Sequence, residues 1–325
     1  LEDIRTCMAC SEGCIQRLFA QRQATCVQNP AAGREEKWGI GTLKAAPKKK
    51  KMVVVGGGPA GMEAARVAAL RGHEVVLYEK EPELGGQVLL AARLPYRDEF
   101  GGSVRYLSLQ INKLGVRVQL GTEATLEIIQ REKPDAVVVA TGSVPLRTGF
   151  TGLRPDLPGI PGVEQENVCA VHDVIRGTAT VGPRVVLIDD DGHHRAAGTG
   201  ELLANQGKQV EIITRLPFVG MDIVLTDLSL LYPRLLEQGV VLTPFTAVRE
   251  IRGNQVVVYP IYTPQQERTI EGVDTVVLAM GNRACNELYR ALKGQVKELY
   301  AVGDCVAPRK IAMAIYEGHK VGRTI

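Results

Sequence analysis

The stretch Met52–Glu79, MVVVGGGPAGMEAARVAALRGHEVVLYE, decides the fold. Met52 to Val55 is a short apolar run of the kind that forms a buried strand, and Gly56, Gly58 and Gly61 follow it in the spacing G-x-G-x-x-G. Gly56 permits the tight turn, Gly58 removes the Cβ that would hold a pyrophosphate off the backbone, and Gly61 lets a helix lie close to the sheet. The helix predicted through Ala64, Ala65, Val67, Ala68 and Leu70 stops at Gly72. A second strand, Val75 to Tyr78, then delivers Glu79, 23 residues after Gly56. The free N–H groups at the helix start would face phosphate oxygens, where the helix dipole favours negative charge, and an acid at that distance is placed to accept from a ribose. A glycine triad alone is weak evidence. Strand, turn, helix, stop and acid in the required order make a specific signal for a ligand that contains ADP.

A chain of 325 residues with 45% hydrophobic and 23% charged content is ordinary for a globular protein and long enough for two domains. A formal net charge of +3 gives no case for a nucleic-acid partner. The one basic block, Lys48 to Lys51, sits directly before the first strand and reads as a solvated linker. No apolar run approaches the roughly 20 residues of a membrane span, and nothing resembles a signal peptide, so a cytoplasmic location is expected. The chain opens at Leu1, close to its first cysteine, which suggests further chain upstream.

Four of the seven cysteines, Cys7, Cys10, Cys14 and Cys26, fall in the spacing C-x2-C-x3-C-x11-C, followed by Val27-Gln28-Asn29-Pro30. With no sign of secretion, four close cysteines point to a metal rather than to disulfides. Structural zinc usually takes two separated C-x2-C knuckles. Three cysteines within eight residues and a fourth further on suit the corners of a [4Fe-4S] cluster, in a spacing distinct from the bacterial ferredoxin run.

These cysteines with the trailing Asn-Pro, followed by the glycine-rich loop, resemble the C-terminal half of the trimethylamine dehydrogenase and 2,4-dienoyl-CoA reductase family, related to old yellow enzyme, over essentially the whole chain. The resemblance implies an iron-sulfur arm, an FAD domain and a nicotinamide-type domain, served by an FMN-bearing β/α barrel that this sequence lacks. The barrel would be a missing N-terminal domain or a partner subunit, and it would carry the substrate-converting residues, so no catalytic residue is assigned here. An electron-transfer flavoprotein is an implied acceptor, and an oligomer is expected. In the family the turn similar to Glu83-Leu84-Gly85-Gly86-Gln87 approaches the flavin, and paired glycines suit a backbone that passes close to a flat ring.

The all-apolar run Ala136 to Ala140 suits a parallel strand buried on both faces, and Thr141-Gly142-Ser143 after it marks a crossing near the cofactor. From Arg184 the rhythm repeats: strand Val185 to Ile188, a loop, a helix through Leu202 to Ala204, a stop at Gly207 and strand Val210 to Ile213. Thr275 to Met280 with Gly281 mirrors Ala136 to Thr141 with Gly142, as an internal duplication would. The second loop, however, reads Asp189-Asp190-Asp191-Gly192-His193-His194. Two unit charges about 4 Å apart interact by roughly 4 kcal/mol at an effective dielectric near 20. Two such repulsions cancel the roughly 8 kcal/mol of a micromolar complex. The second domain is therefore expected to keep the fold and to bind NAD(P)H weakly or not at all, closer to the amine and betaine demethylase branch, with Arg215 a surface charge. A His-His metal site is a weaker alternative, because adjacent histidines point apart.

Leu299 to Asp304 is a short strand ending in Gly303-Asp304, and in similar FAD proteins such an Asp contacts the ribityl or phosphate region. The expected class is α/β, with two Rossmann-like dinucleotide-binding domains of the two-domain flavoprotein reductase type behind an iron-sulfur arm. The arm spans 1–46, the FAD domain 47–150 and 286–325, and the degenerate NAD(P)-type domain 151–285. The candidate cofactor-binding set is Gly56, Gly58, Pro59, Ala60, Gly61, Glu79, Lys80, Gly86, Gln87, Ala140, Thr141, Gly142, Gly303 and Asp304. The metal set is Cys7, Cys10, Cys14 and Cys26. Three functions are set against one another: an electron-transfer module relaying between a [4Fe-4S] cluster, FAD and an FMN barrel that demethylates a small amine; an NAD(P)H-dependent enoate reductase component; and a docking module holding ADP in place of FAD.

Overall fold

Alternate residues of the apolar run face two different cores. In the computed structural model, which describes residues 2–325, Val54 packs with Ala64, Ala68 and Leu77, whereas Val53 packs with Ile129, Val137 and Leu292. A strand covered on both sides has no polar face, which is why the run reads as continuous rather than alternating.

The chain divides into two compact units, one made of residues up to 92, 97–144 and 283–325, the other of residues 93–96 and 145–282. The first unit opens with the cysteine arm and its short helices α1 (Ile15–Phe19) and α2 (Glu35–Trp38). It continues through β1 (Lys51–Val55), α3 (Pro59–Leu70), β2 (Glu74–Tyr78), α4 (Gln87–Ala91), α5 (Gly101–Lys113), β3 (Arg117–Gln119), α6 (Leu126–Glu132), β4 (Ala136–Val139) and β5 (Ser143–Pro145). The second unit carries β6 (Val168–Ala170), α7 (Val171–Arg176), β7 (Arg184–Asp189), α8 (His194–Asn205), β8 (Gln209–Thr214), α9 (Leu225–Glu237) and β9 (Val241–Thr243). It adds β10 (Thr246–Arg252), β11 (Gln255–Pro260), β12 (Arg268–Ile270) and β13 (Thr275–Ala279). The chain then passes through β14 (Asn282–Ala284) into α10 (Glu287–Leu292), β15 (Glu298–Ala301) and α11 (Ile311–Thr324).

The first sheet runs β15-β4-β1-β2-β3, all parallel, with Val54 opposite Leu77 and Val138. α3 and α11 lie close enough that a Cβ on Gly318 would sit 2.2 Å from the Ala60 carbonyl oxygen, so only glycine fits there. In the second unit the parallel sheet runs β6-β13-β7-β8-β9, and β10-β11-β12 form a separate antiparallel sheet. The order β13-β7-β8-β9 repeats β4-β1-β2-β3. The fifth strand comes from the C-terminal segment in the first unit and from the entry segment in the second.

Lys48 and Lys49 are exposed and outside any helix or strand, as a linker would be, but Lys50 and Lys51 depart from that expectation. Lys51 begins β1 and pairs with Glu132 at 2.7 Å, and Lys50 pairs with Glu298 at 2.6 Å while its N–H donates to His73 Nδ1. These cations neutralise acids around the N-terminal edge of the sheet, a long-range role that charge clustering in the sequence does not reveal. Among the described residues no helix is long and apolar enough to cross a membrane.

Candidate functional site

The glycine loop of the first unit is an open cradle. Gly56 has φ +108°, and a Cβ there would lie 2.2 Å from the Ala140 carbonyl oxygen at the end of β4. A Cβ on Gly61 would lie 1.9 Å from the Gly56 carbonyl oxygen, so α3 starts hard against its own turn. A Cβ on Gly58, by contrast, would meet nothing within 4 Å. Gly58 is the N-cap of α3, Pro59 occupies the first helical turn, and no side chain caps the helix. This combination leaves N–H groups and the positive end of the helix dipole facing open space, which is what a pyrophosphate requires.

Glu79 is buried at the end of β2, with one carboxylate oxygen accepting from the Gly57 N–H at 2.6 Å and the other from the Glu81 N–H at 2.9 Å. It therefore braces the loop as well as standing where a ribose would reach. The motif does not mark Gly57, because it lets any residue stand there. A Cβ at that position would lie 2.4 Å from Leu84 Cδ2 and 3.0 Å from Glu79 Oε2, and the unbroken run of three glycines was the available signal. Lys80 is exposed, and its charge acts on the Cys285 thiol, whose pKa burial raises.

The remaining candidates gather on the same edge of the sheet. Gly85 donates to the Gly57 carbonyl at 2.9 Å, and Gly86, at φ +56°, would place a Cβ 3.3 Å from Gly58 Cα, so the Leu84-Gly85-Gly86 turn does lie over the glycine loop. Gln87 donates to Ser143 Oγ at 2.9 Å, and Ser143 donates to Asp304 Oδ2 at 2.9 Å. Asp304 also accepts from the Arg309 N–H at 3.1 Å, and Thr141 Oγ1 donates to the Cys285 carbonyl at 2.5 Å. A Cβ on Gly303 would sit 2.9 Å from that of Ala60, and the Gly303 N–H donates to Glu317 at 2.8 Å. Glu317 is a connector without a sequence signal, since it reaches Gly303 from α11, and Ser143 closes the run already marked at the end of β4. Together with Gly142, at φ +72°, these residues gather beyond the carboxyl ends of β1, β4 and β15. Ligands of open parallel sheets occupy such a position.

The cysteine arm packs on the first unit. Cys7, Cys10, Cys14 and Cys26 are free thiols, three of them exposed and Cys10 half-buried against the core around Met8 and Val27. Two separated segments meet here. A Cβ on Gly13 would lie 3.1 Å from Cys26 Cα, and Thr25 donates to the Gly13 carbonyl at 2.6 Å. Ala9 and Ser11 flank Cys10 with φ +52°, and the Ala9 N–H points at Cys7 Sγ at 3.3 Å. Four cysteine thiols, one of them facing a backbone N–H, are the donor type that an iron-sulfur cluster takes. Burial pushes the Cys10 thiol up to about 11. Among the described residues no three Cys, His, Asp or Glu side chains are grouped closely enough to hold a metal ion. Behind the arm, Glu63 of α3 is fully buried. Burial opposes its charge, but Arg66, with His319 and Arg5, outweighs that and holds the carboxyl at about 2. Trp38 of the arm lies 5.1 Å from Tyr316 and 5.0 Å from His319, ring centre to ring centre.

The matching loop of the second unit is closed by its own residues. Asp189 Oδ1 accepts from the Gly192 N–H at 2.8 Å, and Asp191 Oδ1 accepts from the His193 N–H at 3.0 Å, so N–H groups that would bind phosphate already hold carboxylates. A Cβ on Gly192 would lie 2.8 Å from Leu216 Cδ1 and 3.4 Å from the Asp222 N, and Asp222 donates to the Gly192 carbonyl at 3.1 Å. Arg195 pairs with Asp191 and Arg215 with Asp190, and Thr151 also donates to Asp190 at 3.2 Å. Arg215 is therefore a partner of the acid loop rather than the surface charge expected of it. His193 and His194 pair with Asp222 at 2.9 Å and Asp227 at 3.5 Å, two different carboxylates, as the divergence of neighbouring side chains predicts. Burial, with Asp191 nearby, raises Asp189 to about 7.

The pyridine nucleotide-disulphide oxidoreductase profile matches residues 50–318. The chain is 32% identical to a metal reductase of Desulforamulus reducens, covering 98% of this chain and 50% of the relative. It is 34% identical to an N,N-dimethylglycine/sarcosine dehydrogenase of Chromohalobacter salexigens, again over 98% of this chain and 50% of the relative. A solved structure of 2-naphthoyl-CoA reductase in complex with 2-naphthoyl-CoA superposes with a TM-score of 0.90 at 35% identity, covering 100% of this chain and 47% of that one. The chain thus spans about half the length of the relatives it matches.

Proposed function

The chain belongs to the pyridine nucleotide-disulphide oxidoreductase family, and from that premise we propose that it is an electron-transfer module in which the first unit holds FAD and the arm holds a [4Fe-4S] cluster. When bound, these groups supply the one- and two-electron chemistry, and the protein supplies position and environment. Gly56, Gly58 and Gly61 receive the pyrophosphate, Glu79 the ribose, and Gly86, Gln87 and Asp304 the flavin side of the ligand. Cys7, Cys10, Cys14 and Cys26 hold the cluster. A flavin-bearing barrel, as a further domain or a separate subunit, converts the substrate, and the similarity to an N,N-dimethylglycine/sarcosine dehydrogenase supports a small methylated amine as that substrate. An electron-transfer flavoprotein is the external acceptor in this reading.

The observation that carries the proposal is the asymmetry of the two helix starts: α3 is capped by Gly58, where a Cβ would meet nothing within 4 Å, whereas α8 is capped by His193, whose N–H already donates to Asp191 at 3.0 Å. The similarity to reductases favours a second reading, in which NADH or NADPH donates hydride at the second unit and electrons run toward an enoate or a metal. Cofactor release tests the first. Denaturation should liberate FAD, and iron and acid-labile sulfide should each approach about four per chain. Zinc in their place, or ADP without flavin, would overturn it, the latter in favour of a docking module.

A further inference from the structure

We infer that Arg5 and Glu63 form a pin that makes cluster loading of the cysteine arm and binding of an ADP moiety by the first unit mutually dependent. The inference rests on both groups binding where proposed above. Arg5 stands just before Cys7, and its Nη1 donates to the carbonyl of Gln28, just after Cys26. The buried Gln28 side chain donates in return to the Thr6 carbonyl at 2.8 Å. The segment carrying all four cysteines is therefore closed at its base by Arg5, Thr6 and Gln28.

The same guanidinium reaches into the dinucleotide-binding half of the site. Arg5 Nη2 lies 3.8 Å from Glu63 Oε2, and the group stacks over the Tyr106 ring of α5 at 4.5 Å. Glu63 belongs to α3, the helix that begins at the Gly58 cradle, and it is fully buried. Arg66 of the same helix pairs with it at 2.7 Å, and His319 of α11 meets it at 2.8 Å. One buried carboxylate thus joins the base of the arm to both α3, which starts at the cradle, and α11. A second tie, Lys310 Nζ at 4.0 Å from Glu12, links the N-cap of α11 to the stretch between Cys10 and Cys14.

A buried carboxylate is stable only with its cations in place. An arm ordered around a cluster holds Arg5 at Glu63, and an empty arm releases it, leaving α3 less firmly set where its N-terminus meets phosphate. By linkage the effect is reciprocal: a nucleotide that fixes α3 favours the ordered arm.

The test is the affinity of the full chain, freed of nucleotide, for ADP, measured by calorimetry on iron-loaded and iron-stripped protein. The expected ratio is about tenfold in favour of the loaded form, and ADP should slow iron loss to a chelator by a similar factor. In Arg5→Gln and in Glu63→Gln the ratio should fall to within about twofold, while Arg5→Lys, which keeps the charge, restores part of it. Glu63→Gln leaves the Arg5 bond to Gln28 intact, so it serves where Arg5→Gln fails to retain iron. Equal ADP affinity of loaded and stripped wild-type protein, or a tenfold ratio surviving in both glutamine variants, would overturn the pin. Wild-type protein that takes up no iron, or binds no ADP, instead overturns the proposed cofactor set, and the pin falls with it.

Discussion

The loops at 56–61 and 189–194 stand after equivalent strands of equivalent sheets, and one is open where the other is closed. In the first, the acid stands outside the loop, on β2, and braces it from behind through the Gly57 N–H. In the second, the acids are in the loop and take the N–H groups of Gly192 and His193 for themselves. The fold tolerates both because the strand order needs only a tight connection at that point. Ligand binding needs the connection to leave its donors unused. The same strand order can therefore carry a connection that leaves its donors free or one that is filled from within.

Five perturbations sharpen this contrast, beginning with the largest expected effect. Asp189 titrates near 7 in the folded protein against 3.8 unperturbed, so its contribution is fully present below about pH 4 and is lost as pH rises through 7. The loss is on the order of 4 kcal/mol. Urea unfolding of wild type and Asp189→Asn at several pH values should show that slope only in the former. His172, which burial with Arg195 holds down to about 4, acts in the opposite sense: its contribution is intact above 6.5 and fades as pH falls toward 4. His172→Gln should remove that component. Next, Gly61→Ala forces a Cβ 1.9 Å from a carbonyl oxygen and should cost about 3 kcal/mol by thermal or urea melts, because neither backbone can give way. Gly58→Ala has free space and an ordinary φ of −72°, so it should change stability by less than about 0.5 kcal/mol while weakening ADP binding at least about tenfold. A melt as damaged as that of Gly61→Ala would show that the cradle is not open. The smallest effect is expected from Arg215→Gln, which removes one cation from the acid loop and should destabilise the second unit by about 1 kcal/mol or less, since its ion pair with Asp190 is partly exposed.

The sequence made the two sheets legible because parallel strands buried on both faces leave long apolar runs, as at 136–139, and because Gly72, Gly115 and Gly207 stop their helices in the left-handed region as glycines do. The edge of the first site was legible for the same reason: a glycine triad, a turn and a strand-end acid are local patterns. The connections were not. Glu63 sits among alanines and reads as an ordinary helical acid, yet it meets His319, 256 positions away. Lys50 and Lys51 look like linker charge until Glu298 and Glu132 arrive from distant parts of the chain. The triple acid at 189–191 announced that the second loop is unlike the first, but its neutralisation by Arg195 and Arg215 and its covering by Leu216 depend on tertiary contacts.

The most direct test of this account is a titration of the protein with NADH and with NADPH, followed by nicotinamide fluorescence. A second loop filled by its own carboxylates predicts no saturable binding below about 1 mM, that is, no more than about 4 kcal/mol of binding free energy. Saturation at one nucleotide per chain in the micromolar range, abolished by a bulky substitution at Gly192 and untouched by one at Gly58, would contradict it.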